Sequence, residues 1–468
     1  MPLSRSLLRR CLLGSVLFSC ATTGVHAFDL TRLQDLLATT PEGGWVKASL
    51  GTWSDVWPSP RYDGDVGSIV YAWGSMAWDS QRAQLILWGG GHANYAGNEV
   101  YTWSGQTGFW ARGSLPSTYQ PGTSWIVGNG APQSSHTYDN SLYLPLSDRY
   151  VTFGGAAWNS GGNFDSAAGR EGPWLWNPAL ADPNRVGGQD FTGLNAAALG
   201  SNSWTSRRGA ITGTLPPTFV EAATGYRAEG GKDVVYIAAD TGASGFPSLY
   251  RYEFNLSGND VVERVGVMGL GQAAYQGTAT VDSTRGWFVR TLWPGSASND
   301  LSVWDLSLNN AASPGANESF AVRLQRPDGS DYDIVGAGGV GSDAGLNWDE
   351  GTGHYFLFQG ATITEVIPAT NPDGTPASIW TAIDRPCTTA ACASSAGQGV
   401  HGHWIAVPEL DAFIALSAFE GDSRDVDVWL YQIAAEVPEP GAALMFLPGL
   451  GLVAWVVRRR TRKAASAA

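Results

Sequence analysis

Between Tyr71 and Arg112 the chain runs through four short apolar stretches separated by polar turns. YAWGSMAW is followed by the turn DSQRA, and QLILWGG stops at a glycine pair. NEVYTW and GFWAR come after the polar loop GHANYAG. Aromatic and β-branched residues at strand period, bounded by Gly and Asp, predict four β-strands. A meander of this size cannot bury both faces alone.

The rest of the chain supplies degenerate copies. His136–Gly155 repeats the first two strands, with GPWLWNP as the third. Phe219–Asp240 precedes SLYRYEF, and Tyr275–Trp293 precedes LSVWDL. Gly345–Gly360 precedes ITEVI and SIWTAI, and His401–Ala418 precedes VDVWLYQI. A four-stranded unit repeated along a chain predicts an all-β propeller. The copies give six blades, or seven if one degenerate copy is hidden. The last unit has three strands, and GGWVKAS (Gly43–Ser49) has the composition of the missing fourth. Pairing with VDVWLYQI would close the ring and remove an open edge.

The Gly-Gly after the second strand, the aromatic third strand and a fourth-strand tryptophan (Trp110, Trp380) resemble kelch repeats. The propeller of the galactose-oxidase-like superfamily is similar. The resemblance covers roughly residues 40–435 and implies architecture more than activity, because propellers host many functions.

The two ends read differently. Arg5, Arg9 and Arg10 precede an apolar stretch, and Val25-His26-Ala27 makes a small-x-small cleavage site, so residues 1–27 predict a secretory signal. Residues 28–436 are then the propeller. At the other end Val437, Pro438, Glu439 and Pro440 precede a 17-residue apolar run, 441–457, and an arginine cluster. Segment 437–468 resembles the PEP-CTERM sorting signal of Gram-negative bacteria. That resemblance implies exosortase as a partner. It also implies an inner-membrane-anchored precursor, then a cell-surface or extracellular protein in an organism making extracellular polysaccharide. The apolar run is near the lower length for a membrane span, and the arginines would stay cytoplasmic.

Glycine is 60 of 468 residues and charged residues only 15%, which fits an exported all-β body better than a helical one. Eight of the 28 basic residues lie in the signal and the tail. With Glu439 also in the tail, the remaining 20 face 41 acidic ones, about −21 for the body. That balance disfavours nucleic acid as a partner and favours neutral glycans or divalent cations. Cys387 and Cys392 are the two cysteines of the mature body, and export predicts a local disulfide between them. A pair of thiolates helping to hold a metal is the alternative.

In a propeller, the loops between second and third strands share one face with the loops between blades. His92, His136, His401 and His403 map to that face, and His354 maps to the other. Tyr95, Asn98, Tyr138, Asp139, Trp158, Glu221, Asp240, Tyr275, Gln276 and Trp293 are expected on the histidine face. Imidazoles with tyrosines and carboxylates are the ingredients of acid/base work or of a divalent-metal site. Aromatic rings suit stacking on sugars. His401 and His403 alternate along a strand, which predicts that they point the same way and that His403 serves a ligand more than the core. Asp328, Asp331 and Asp333 are a weaker Ca²⁺ candidate, lacking the full loop spacing.

Two functions follow. One is a surface propeller that binds glycan or another partner without catalysis. The other is a carbohydrate-active enzyme resembling propeller polysaccharide lyases, with His92, His136 and a tyrosine moving protons and Arg207 or Arg208 neutralising a uronate. Copper chemistry of the galactose-oxidase type needs a Cys–Tyr crosslink, and both cysteines read as paired.

Overall fold

The computed structural model describes residues 29–433 except 60–63, 93, 118, 121–124, 127–129, 159–171, 191–198, 241–246, 271, 273–275, 293–299, 333, 335–343, 360–361, 387–398 and 417–424. The segment 1–27, Tyr275, Trp293, Asp333, Cys387, Cys392 and the whole of 437–468 lie outside the described residues. Among the described residues no helix is long and apolar enough to cross a membrane.

The strands in chain order are β1 (Trp45–Lys47), β2 (Met76–Asp79), β3 (Gln84–Leu87), β4 (Tyr101–Ser104), β5 (Trp110–Arg112), β6 (Tyr119–Gln120) and β7 (Trp125–Ile126). Next come β8 (Ser141–Leu144), β9 (Arg149–Thr152), β10 (Trp174–Trp176), β11 (Trp204–Ser206), β12 (Ile211–Gly213), β13 (Ala223–Glu229), β14 (Lys232–Asp240), β15 (Pro247–Glu253) and β16 (Asp260–Val267). They are followed by β17 (Ala279–Asp282), β18 (Trp287–Thr291), β19 (Leu301–Asp305), β20 (Phe320–Gln325), β21 (Gly345–Asp349), β22 (His354–Phe358), β23 (Thr362–Ile367) and β24 (Ile379–Pro386). The last are β25 (Trp404–Val407), β26 (Ala412–Leu416) and β27 (Val428–Gln432).

The architecture is all-β and propeller-like. Antiparallel meanders run β2–β5, β8–β11, β13–β16, β17–β20 and β21–β24, and β25–β27 take β1 as fourth strand. In that last sheet Trp45 lies opposite Tyr431 and Lys47 opposite Trp429. First strands neighbour one another in a cycle: β2 with β8, β8 with β13, β13 with β17, β17 with β21, β21 with β25, and β25 with β2.

The core is divided among the sheets. One cluster of buried side chains joins Trp88 and Ile86 of the first meander to Tyr150 and Trp176 of the second. Others join the second to the third, the third to the fourth, the fourth to the fifth and the fifth to the sixth. The largest joins Leu85 and Leu87 to Ile414 and Leu430 of the sheet containing β1. Strands packed on both faces explain the near-continuous apolar runs, as in Met76–Asp79, where every residue is buried. Trp380 shows how fourth-strand tryptophans contribute: it stacks on Tyr355 of its own sheet at 5.3 Å and on Trp287 of the preceding one at 5.8 Å.

The hairpin turns have a local cause. Asp79 and Asp282 each end a first strand, accept two backbone N–H bonds from the turn, and pair with the arginine three residues on. The turn closes on a left-handed residue, Ala83 at φ 50° or Gly286 at φ 72°. One expected strand start is corrected. Ser68–Tyr71 is a short helix, and β2 starts only at Met76, because Trp73 at φ 44° turns the chain toward the axis.

Candidate functional site

Turns leading into the first strands gather at one end of the axis. Trp73, Tyr138, Gln276 and His401 sit three residues ahead of β2, β8, β17 and β25, and Glu221 sits two ahead of β13. All five are left-handed without being glycine, at φ 44°, 48°, 55°, 43° and 62° in that order. Backbone in this region is strained for such residues and persists only where the surroundings hold it. Here backbone bonds across the axis do so. Tyr138 N donates to Trp73 O at 2.7 Å, Gly402 N to Tyr138 O at 3.3 Å, and Met76 N to Gly402 O at 3.0 Å. On the far side, Arg290 Nη2 donates to the carbonyls of Gln276 at 2.7 Å and Glu221 at 3.1 Å.

Rings pack together at this end of the axis: His136, Tyr138 and His401 are buried, Trp73 is half-buried and His92 is exposed. His136 is buried, with its ring 4.8 Å from Trp73, 5.5 Å from His92 and 6.1 Å from Tyr138. Tyr138 in turn stands edge-on to His401 at 6.2 Å. His92 is exposed and itself left-handed, at φ 51°. Burial, then the neighbouring His92 and His401, push His136 down to about 3, so its ring is neutral at physiological pH. His136 Nε2 is 2.9 Å from Asn94 Oδ1. Donation to that amide oxygen leaves Nδ1 as the basic nitrogen.

Both His401 and His403 are buried, and β25 begins only at Trp404, so the strand alternation expected of the pair does not apply. His403 is not at the surface expected of a ligand-binding ring. Its ring is buried behind the mouth, where a Cβ on Gly74 would lie 2.8 Å from its Cε1. Neither ring nitrogen has a hydrogen-bond partner among the described residues. Burial, then His401, push it down to about 3, opposed only by the nearby Val400 backbone.

The remaining expected residues divide. Glu221 and Gln276 are half-buried at the mouth. Tyr95 is instead wholly buried and donates to Glu99 Oε1 at 2.7 Å, an oxygen that Tyr101 also meets at 2.6 Å. Burial raises the Glu99 carboxyl. Asn98 bridges the Pro132 carbonyl at 2.8 Å and the Ser117 N–H at 2.7 Å. Trp158 packs half-buried against the core shared with β25–β27. These three brace loops. Asp139 turns away from the histidines: its Oδ2 accepts N–H bonds from Thr224 and Ala279, both at 2.9 Å. The side chain of Asp240 lies outside the described residues.

Arg207 is not available as a free cation. It forms a two-bond pair with Asp260 at 2.8 and 3.0 Å and also holds the Asn255 and Gly258 carbonyls. Arg208 is exposed beside it. The cation near the mouth is Arg290, hidden in the strand WFVRT, where nothing in the sequence marks it. Trp73 and Asn94 were equally illegible, since their roles come from turns and not from motifs. His354 lies elsewhere, with Nδ1 2.7 Å from Glu365 Oε1. Asp331 pairs with Arg323 at 2.8 Å while Asp328 bonds Ser330, so the two do not converge on a cation. Among the described residues no three His, Cys, Asp or Glu side chains group as metal ligands.

No curated protein matches the chain. Among solved structures, the GH93 α-L-arabinofuranosidase of Fusarium graminearum in complex with arabinobiose is similar over 80% of this chain and 96% of its own, at 9% identity and a TM-score of 0.40. Residues 436–460 match the PEP-CTERM protein-sorting motif. The chain therefore carries the signal of an exported protein recognised and processed by exosortase.

Proposed function

We propose that this is an exported, exosortase-sorted β-propeller of kelch-like type that binds a glycan at the mouth bearing His92, His136, Tyr138 and His401. In this reading residues 1–27 are the signal peptide, 28–436 the propeller and 437–468 the sorting signal with a transmembrane run at 441–457. The six meanders are six blades, closed into a ring by β1. The cycle of neighbouring first strands, the cores between consecutive sheets and the β1–β27 pairing support that count. Tryptophans at the fourth-strand positions Trp45, Trp110, Trp204 and Trp380 support the kelch-like assignment. Cys387 and Cys392 form a local disulfide in this reading.

The observation that carries the binding reading is the convergence of aromatic and imidazole rings on strained backbone at one end of the axis. Exposed His92 and half-buried Trp73 are the rings that solvent reaches, with His136, Tyr138 and His401 packed behind them, and flat rings with polar edges stack on sugar faces and bond their hydroxyls. The test is a glycan array probed with residues 28–436 and with the His92→Ala variant. Binding that His92→Ala weakens supports the reading. Equal binding by both proteins removes the mouth as the site.

A second reading rests on one specific pair. His136 stands 6.1 Å from the Tyr138 ring, an imidazole and a phenol side by side, the residue types a β-elimination uses to take and return a proton. Incubation with uronic-acid glycans, followed by the ultraviolet absorbance of new double bonds, separates this lyase-like enzyme from a binder.

A further inference from the structure

Along the axis, behind the mouth, the first strands enclose a cavity of about 610 Å³. All six meanders contribute to its wall. At the histidine end its lining stops short of Trp73, His136, Tyr138 and His401, whose turns are joined by backbone bonds. At the other end it opens among the first-to-second strand turns, at Ser80, Ser283, Glu350 and Glu409. It is thus a blind pocket on the face opposite the histidines, of a size ordinary for small-molecule sites, about 300–1,000 Å³.

We propose that this blind axial cavity is a second binding site, and that it takes the terminus of a neutral sugar chain inserted end-on. Three observations favour that occupant. A closed end admits a chain terminus and excludes a chain interior. The wall carries aromatic rings, among them Trp78, Tyr143 and Trp348, which can stack on a sugar face. The rim sets Arg227 against Glu350 and Glu409, which repels a polyanion.

Asp139 borders the cavity deep among the first strands. Burial pushes its carboxyl up to about 8, against the pull of the Thr224 and Ala279 N–H groups and of Arg290. A protonated carboxyl both donates to and accepts from a sugar hydroxyl, and offers no countercharge to a cation. This site is independent of the histidine mouth, so either can fail without the other.

The test uses residues 28–436, titrated with cellobiose, maltose and lactose and with a uronic-acid disaccharide, read by tryptophan fluorescence and calorimetry. A saturable response to a neutral sugar is expected. Ala406→Phe, which fills the half-buried wall, should weaken it at least about tenfold. Ala228→Trp, at the exposed rim, should do the same with the fold intact. Asp139→Asn should weaken it about fivefold, and Leu256→Ala, exposed and outside the cavity lining, should leave it unchanged. The proposal is overturned if no neutral sugar saturates, if the uronate binds more tightly, or if both filled variants bind as the parent does. Those results would mark the cavity as a water-filled channel.

Discussion

Tyr138 and Asp139 are adjacent in the chain and serve opposite ends of the axis. The Tyr138 ring stands between His136 and His401 at the mouth, while the Asp139 carboxyl ties the third and fourth meanders from the cavity side. The left-handed turn at Tyr138, φ 48°, sends the two side chains apart. The wall between mouth and cavity is therefore backbone, and a change on one side need not alter the other.

Gly74 and His403 make a second close pair, and substitution at either should cost stability. A Cβ on Gly74 would lie 2.3 Å from the Ile69 carbonyl and 2.8 Å from the His403 ring. Gly74→Ala should destabilise by about 1–3 kcal/mol through overpacking. His403→Ala should cost about 2 kcal/mol through the void it leaves, reduced by the loss of two unpartnered nitrogens. The double variant should cost less than the sum, since one methyl enters the space the other vacates. Urea titrations measure all three, and strict additivity would refute the contact.

Much of the fold was legible because strand and turn signals are local. The runs MAWD, QLIL and YTWS became β2, β3 and β4 where the alternation and the Asp turns put them. GGWVKAS was readable as a fourth strand from Trp45 alone, and its partner β27 lies at the far end of the chain. The site was less legible because it depends on φ angles and distant partners. Placing His92 and His136 near each other needed only the strand order. The burial of His401 and His403 depends on packing between blades that no local signal shows. Arg207 looked available because Asp260, its partner, is 53 residues away. Arg290 and the cavity left no local mark at all.

Exposed His92 and half-buried His354 should separate function from scaffold. His92→Ala should lower glycan binding with no change in melting temperature, because the ring contacts His136 only at its edge. His354→Ala removes a 2.7 Å bond to Glu365, which Arg385 still holds at 2.6 Å. It should cost about 1 kcal/mol and leave binding intact. Reversed behaviour of the two variants would move the site to the other face.

Sorting should depend on the motif and not on apolar length. Replacing Pro438 and Pro440 by alanine leaves the run 441–457 unchanged. If exosortase reads the motif, the variant should accumulate unprocessed at the inner membrane. Mass spectrometry of the C-terminus decides it. Normal processing would reduce the segment to a simple anchor.

Trp45 should matter beyond its short strand. Its ring lies 5.2 Å from Tyr431, 5.4 Å from Phe358 and 5.8 Å from Trp404, so it joins the last sheet to the one before. Trp45→Ala should cost about 3 kcal/mol. Deleting residues 29–49 should also expose the edge of β27 and promote self-association, because unpaired strand edges template further pairing. Sedimentation of the deleted protein tests this, and a stable monomer would show that β1 is dispensable.

Stability should fall as pH rises above about 6.5. Folded Asp139 keeps its proton to about 8, while an ordinary aspartate releases it near 3.8. Between those values the folded chain holds a proton the unfolded chain has lost, so this group lowers stability as pH rises. His136 and His403 act in the other direction. Both are held down to about 3 against an ordinary 6.5. Between those values the unfolded chain binds protons that the folded chain refuses, so stability is lost as pH falls. Glu99, also raised by burial, acts in the direction of Asp139. Between the ordinary carboxylate range and about pH 6.5 two imidazoles therefore oppose two carboxyls, and their slopes offset. Above about pH 6.5 the imidazoles drop out and the raised carboxyls lower stability as pH rises. Melting temperatures across pH 4–9 should show this alkaline fall. Asp139→Asn should reduce the fall, and His136→Gln should extend it below pH 6.5 by about one proton's slope. An alkaline fall unchanged by Asp139→Asn would mean that the Asp139 carboxyl is already ionised at neutral pH.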